Sequence, residues 1–140
     1  MEMQEYLKKF KALSDETRLR IVNLLIKKKT PLCVCEFTDA LEVPQYNVSR
    51  HLKILKNANL IEENKEGRWV YFGLPKLKDE FTELIMSAIQ KIPKDILSKD
   101  LEEIDKRLAI RTNGKCLSGV KKEYLLSVHP AKDKIIEEGL

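Results

Sequence analysis

The chain has 140 residues, 43% hydrophobic and 34% charged, a balance that suits one compact domain, and no run of about 18 apolar residues offers a bilayer span. The opening MEMQEYLKKFKAL sets acids inside an amphipathic pattern instead of a basic segment followed by an apolar one, so a cytoplasmic protein is expected. The net charge of +4 is concentrated: residues 44–78 hold seven Lys/Arg against three acids, a stripe suited to a polyanion.

In chain order, Met3, Leu7, Phe10 and Leu13 fall on one face at helical spacing and predict an amphipathic helix. Ser14 is an N-cap candidate for the next helix, with Asp15 and Glu16 in its first turn and Lys27-Lys28-Lys29 at its basic end. Thr30-Pro31 reads as a further start, a capping threonine before a proline at the first helical position, and predicts a short helix over Pro31–Leu41. A longer helix runs from Pro44 to Asn57. On it Val48, Leu52, Leu55 and the following Asn59 cluster on one side, opposite Tyr46, Arg50, Lys53 and Asn57. Leu60–Glu63 and Arg68–Phe72, flanking Asn64–Gly67, predict a β-hairpin. A helix over Lys76–Ile92 stops at Pro93. Residues 93–140 read as a helical extension of the 1–92 domain, with Leu97, Leu101, Ile104 and Leu108 as its stripe, then Asn113-Gly114-Lys115-Cys116 and a tail broken at Pro130.

Two short helices joined by a tight turn and followed at once by a basic hairpin make a winged helix-turn-helix, mainly α with a small β-hairpin. The second helix can enter a major groove N-terminus first, its early polar residues meeting base edges and its cations meeting phosphates. The candidate contacts to double-stranded DNA are Gln45, Tyr46, Asn47, Ser49 and Arg50, with Lys53 near phosphate and Lys65 and Arg68 at the hairpin tip. Arg50 is the candidate for bidentate guanine recognition. Trp69 and Phe72 are expected to pack beneath the wing, and His51, beside the apolar face, to be a satisfied interface histidine.

Phe10–Ile21 (FKALSDETRLRI), Leu32–Glu36 (LCVCE), Val48–Leu55 (VSRHLKIL) and Glu66–Tyr71 (EGRWVY), in that order, resemble the arsenic-repressor (ArsR/SmtB) family of metal-sensing regulators over about residues 5–92. The resemblance implies a repressor acting as a homodimer through its first helix and the helix after the wing, bound to a palindromic operator and released by an inducer. The recognition helix opens Pro44-Gln45-Tyr46-Asn47, where relatives often have a serine cap and smaller residues, so their operator sequence does not carry over.

Three cysteines, an odd number, argue against a disulfide framework and leave metal binding, thiol chemistry or burial. Cys33-Val34-Cys35 puts two soft ligands on one short element, suited to As(III), Sb(III), Cd(II), Pb(II) or Zn(II). Placed in the first turn after Thr30, both thiols are expected to ionise more readily than a free cysteine. Residues i and i+2 of a helix are rotated by about 200°, so closing both on one ion would have to distort that helix. Arsenic-sensing relatives carry a third cysteine where this chain has Thr38. Cys116 could then be the third ligand, from its own chain or across the dimer, or a buried structural cysteine. As(III) or Sb(III) is the inducer expected from the resemblance.

The family's paired His/Asp zinc site is absent from 76–92, which holds Asp79, Glu80 and Glu83 but no histidine. A zinc site from Cys33, Cys35, Cys116 and His129 can be drawn. A rival reading keeps the DNA-binding fold and makes the thiols a redox or sulfide sensor with Cys116 as the resolving thiol. A thiol enzyme lacks a base, because His51 and His129 belong to the recognition helix and the tail, and no enzyme is expected. A winged helix used only for protein contacts leaves the basic stripe unexplained.

Overall fold

The computed structural model describes residues 2–112 and 114–116. In chain order the elements are α1 (Met3–Leu13), α2 (Glu16–Lys28), β1 (Leu32–Cys33), α3 (Val34–Leu41), α4 (Gln45–Asn57), β2 (Glu62–Glu66), β3 (Trp69–Gly73), α5 (Glu80–Gln90) and α6 (Lys94–Leu108). The three strands form one antiparallel sheet in the order β1-β3-β2. Among the described residues no helix is long and apolar enough to cross a membrane.

Helix α2 starts one residue later than the Ser14 cap implies. Asp15 is the extended residue, and its carboxylate accepts from the Arg18 backbone N–H at 3.0 Å. Ser14 instead closes α1, its hydroxyl donating to the Phe10 carbonyl at 2.8 Å. The helix over Pro31–Leu41 also needs correction, because Leu32 and Cys33 form a strand, paired with Phe72 and Tyr71. The edge of β3 offers these two residues a backbone ladder while Leu32 fills the core, and the Thr30 hydroxyl turns back to the Lys28 carbonyl instead of capping. Helix α3 therefore begins at Val34, with Cys33 at the N-cap and its N–H donating to the Glu36 carboxylate at 3.0 Å.

In α4, Val48, His51, Leu52 and Leu55 are buried. Asn59 does not join that face: it is exposed, past the helix end, in a left-handed conformation at φ 57°. Buried Lys9 of α1 donates to the Ala58 carbonyl at 2.9 Å, satisfying a carbonyl at that helix end. The wing reverses over Gly67-Arg68, where Gly67 takes φ 62°, a conformation glycine adopts without penalty. Helix α5 starts at Glu80, with Asp79 accepting from the Thr82 N–H at 2.8 Å, so Lys76 and Lys78 precede it.

Ile21, Leu24, Leu25, Leu32, Phe37, Leu52, Leu55, Leu60 and Ile104 are completely or almost completely buried in one cluster, each worth about 1.5–3 kcal/mol of transfer free energy. Ile104 comes from α6, whose Leu101 and Leu108 also pack on this core. Arg20 of α2 holds Asp100 of α6 through two 2.9 Å bonds. The extension thus lies along α2 and α3, and this brings the segment after α6 to the start of α3.

Candidate metal centre and nucleic-acid interface

Cys33 ends a strand, Cys35 lies in the first turn of α3, and Cys116 arrives on the turn that follows α6. Their sulfurs lie within 4.8 Å of one another. Cys33 and Cys116 are paired as a disulfide, and the Cys35 sulfur lies 3.0 Å from that of Cys33 and 2.8 Å from that of Cys116. All three belong to one chain. Cys33 and Cys116 are each only 4% exposed, whereas Cys35 is half-buried.

This arrangement overturns two expectations. Cys33 is at the N-cap in an extended conformation, not inside a helical turn, so the 200° rotation does not separate the pair and both sulfurs converge with the helix intact. Ready ionisation is also not seen at Cys35: burial pushes its thiol up from the ordinary range, and the opposing pull of the Arg107 guanidinium does not cancel this.

Two arginines from the extension frame the sulfurs. Arg107, completely buried, donates from Nε to Asp39 at 2.7 Å and from Nη2 toward the sulfurs of Cys35 at 3.5 Å and Cys116 at 3.8 Å. Arg111 holds the buried Glu36 bidentately, at 2.7 and 2.6 Å, and donates to the Pro31 carbonyl at 2.8 Å. Burial acts to lower the Arg111 pKa, but the hydrogen bonds to Glu36 and its charge together outweigh that and raise it. Each arginine neutralises one acid, so the surroundings of the sulfurs carry little net charge. With the Cys33–Cys116 disulfide reduced, three soft thiolates around a trivalent metalloid would also sum to zero, and such a complex avoids the cost of a buried charge. Sulfur donors in this setting fit a thiophilic ion better than a hard one.

Tyr71 of β3 closes the site from the wing. It is buried beside Cys33 and Cys116, and its hydroxyl accepts from the Cys116 backbone N–H at 2.9 Å. Trp69 packs on the same cluster, and Phe72 enters the main core, so both pack beneath the wing. His129 lies outside the described residues, as do Asn113 and the tail around Pro130. Thr38 sits one turn beyond Cys35 on α3, and its hydroxyl has no hydrogen-bond partner among the described residues.

Helix α4 and the wing present Gln45, Tyr46, Ser49, Arg50, Lys53, Lys65 and Arg68, all exposed, with Tyr46 at 78%. Asn47 is half-buried and less open than its neighbours. Arg68 lies over the Trp69 ring, 5.2 Å from its centroid, at the wing tip. His51 faces inward, its Nδ1 3.1 Å from an Arg18 guanidinium nitrogen and 4.0 Å from the Asp15 carboxylate.

Sequence reasoning did not single out Glu36, Asp39, Tyr71, Arg107 or Arg111. For the arginines the available signal was a basic pair, spaced i and i+4, just ahead of Cys116.

Residues 15–63, from the cap of α2 through the helix-turn-helix to the start of the wing, match the model described as "Bacterial regulatory protein, arsR family". The chain is 37% identical over 91 residues to the arsenic resistance transcriptional regulator ArsR1 of Pseudomonas putida, covering 65% of this chain and 70% of that protein. It is 47% identical over 73 residues to the arsenical resistance operon repressor of Bacillus subtilis, covering 51% of this chain and 68% of the other. The fold is similar to Mb0332 of Mycobacterium bovis, a homodimeric winged helix-turn-helix DNA-binding domain, with TM-score 0.54 and 24% identity over 63% of this chain and 77% of that one. With the helix-turn-helix, the wing and the relatives in agreement, the chain belongs to the arsR family of bacterial regulatory proteins.

Proposed function

We propose that the protein is a cytoplasmic, homodimeric transcriptional repressor that leaves a palindromic DNA operator when As(III) or Sb(III) binds Cys33, Cys35 and Cys116. The observation that carries this reading is the convergence of the three sulfurs within 4.8 Å, in surroundings whose charges are paired off. The names of the relatives, an arsenic resistance regulator and an arsenical resistance operon repressor, support the metalloid.

Operator contact falls to the open face of α4 and to the wing tip, with Arg50 reading guanine, Gln45, Tyr46, Asn47 and Ser49 along the early turns, and Lys53, Lys65 and Arg68 on phosphates. Support for a dimer comes from apolar side chains left exposed on α1 and α5, namely Met3, Phe10 and Leu84, with Phe81 of α5 packed edge-on to Tyr6 and Phe10. A two-fold dimer matches a two-fold operator.

Induction requires the ion to bind the two conformations with different affinity. Chelation ties the start of α3 to the segment after α6, and α3 reaches the recognition helix through a turn of only three residues. A shift of α3 toward Cys116 therefore moves α4 with it. Switching from about 1% to about 99% released takes roughly a 10⁴-fold difference in ion affinity between the two conformations.

A second reading, a thiol redox or sulfide sensor, is favoured by the bond between Cys33 and Cys116 with the Cys35 thiol beside it. Two thiols and a peroxide would give that disulfide and two waters. Titrating the reduced protein with arsenite, Cd(II) and polysulfide while following operator binding separates the two. Arsenite should release the operator from wild type and not from C33S/C35S, whereas release by polysulfide alone would replace the metalloid with the redox reading.

A further inference from the structure

We propose that Tyr71, on the wing strand β3, is the positioning residue that holds Cys116 in the thiol centre, so that the wing is part of the inducer site as well as of the DNA-reading face. The inference rests on the three cysteines being the metalloid site.

Cys116 reaches that site on a short return after α6, closed by paired bonds between Thr112 and Lys115 at 3.1 and 3.0 Å, with Gly114 at φ 73°. Such a return sets where the chain turns, but not how the cysteine faces. Cys116 is held here by its disulfide to Cys33 and by its own buried N–H, which donates to the Tyr71 hydroxyl at 2.9 Å; once the disulfide is reduced, that N–H bond is the contact that still orients its backbone toward the site. Tyr71 is itself buried, with the Arg111 guanidinium 5.5 Å from its ring centroid, so neither group has ready water to replace its partner. The same tyrosine is the cross-strand neighbour of Cys33. One side chain thus spans two of the three ligands, although they are 83 residues apart.

The chemistry makes that placement matter. Arsenous acid exchanges three hydroxyls for three thiols: each S–H bond and each As–OH bond breaks, an As–S bond forms, and the thiol proton leaves with the hydroxide as water. From the three free thiols nothing is oxidised or reduced; the Cys33–Cys116 disulfide is opened beforehand by a dithiol reductant, whose two electrons and two protons give the two thiols and which itself becomes a disulfide. Cys33 and Cys35 are held by neighbouring backbone, so two exchanges need little help. The third depends on the effective concentration of Cys116, which the Tyr71 hydrogen bond maintains. Without it, exchange stops more often at two As–S bonds and one As–OH.

The strand also carries the consequence toward DNA. Two residues before Tyr71, Trp69 packs on the sulfur cluster, and Arg68 lies over its ring at the wing tip. Trp69 is the chain's one tryptophan and therefore a direct optical reporter of this path.

The test uses the reduced full chain, wild type, Tyr71→Phe, Cys116→Ser and the double variant, each titrated with arsenite. Affinity is followed by Trp69 fluorescence and the number of sulfurs on arsenic by X-ray absorption. Tyr71→Phe keeps the ring and removes only the acceptor. It should weaken arsenite binding about fivefold, roughly one buried hydrogen bond, and lower the sulfur count below three. In the Cys116→Ser background the same substitution should add nothing. Wild-type affinity and three sulfurs in Tyr71→Phe would overturn the proposal. So would an equal loss in the Cys116→Ser background, the sign of general damage to the fold. Failure of the wild type to bind arsenite would instead remove the metalloid reading, and this proposal with it.

Discussion

Arg111 and Glu36 are 75 residues apart in sequence and joined by two bonds of 2.7 and 2.6 Å, with the carboxylate wholly buried. The pair fastens the segment that leads to Cys116 onto the first turn of α3, and Glu36 also accepts from the Cys33 N–H. Removing the arginine leaves a buried, uncompensated carboxylate. Arg111→Gln should therefore cost about 3–5 kcal/mol in urea unfolding, and Arg111→Gln with Glu36→Gln should recover part of that loss. Equal stability of wild type and Arg111→Gln would show that the pair does not fasten the extension.

The two classes of basic residue on the DNA face should behave differently. Arg50→Ala should cost about 1–3 kcal/mol of operator affinity and relax the preference at one base pair, whereas Lys65→Ala should weaken all sequences alike and reduce the salt slope by about one. Fluorescence anisotropy with the operator and with scrambled duplexes, at several salt concentrations, measures both.

Phe10 and Leu84 keep more than half of their surface in solvent on neighbouring helices. Phe10→Glu or Leu84→Glu should shift sedimentation toward monomer and lower operator affinity, while each chain keeps its helical circular dichroism. A variant that stays dimeric places the subunit contact elsewhere.

Stability should depend on His51. Burial holds its pKa below the usual 6.5, against the attraction of Asp15, and the ring faces the Arg18 guanidinium. The folded state thus binds the proton less readily than the unfolded chain. The resulting stabilisation is present above about pH 6.5 and is lost as pH falls through and below that value toward the depressed folded pKa. Melting temperatures at pH 7.5 and pH 5.5 should differ more for wild type than for His51→Gln.

Much of this molecule was legible residue by residue. The helices α1, α2 and α4 and the buried side of α4 at Val48, Leu52 and Leu55 follow from 3.6-residue periodicity, the wing from its glycine turn, and the Cys33/Cys35 pair from spacing alone, because each of these signals is local. On α1 the predicted apolar side at Met3, Leu7 and Phe10 stays exposed while Lys9 and Ala12 are buried. The cap of α2 was misplaced by one residue, since serine and aspartate both qualify and only the extended backbone at Asp15 decides between them.

The order of elements and the basic stripe were determined by the sequence itself, through side-chain type and short-range spacing. Only the tertiary structure decided that Leu32–Cys33 is a strand, because a two-residue ladder exists only where β3 supplies its partner. Likewise, nothing local to Cys116 points to Cys33. Their meeting depends on Ile104 in the core, on Arg107 and Arg111 pairing with acids of α3, and on Tyr71 reaching from the wing. Such long-range pairings are set by packing of the whole chain, to which no single segment carries the key.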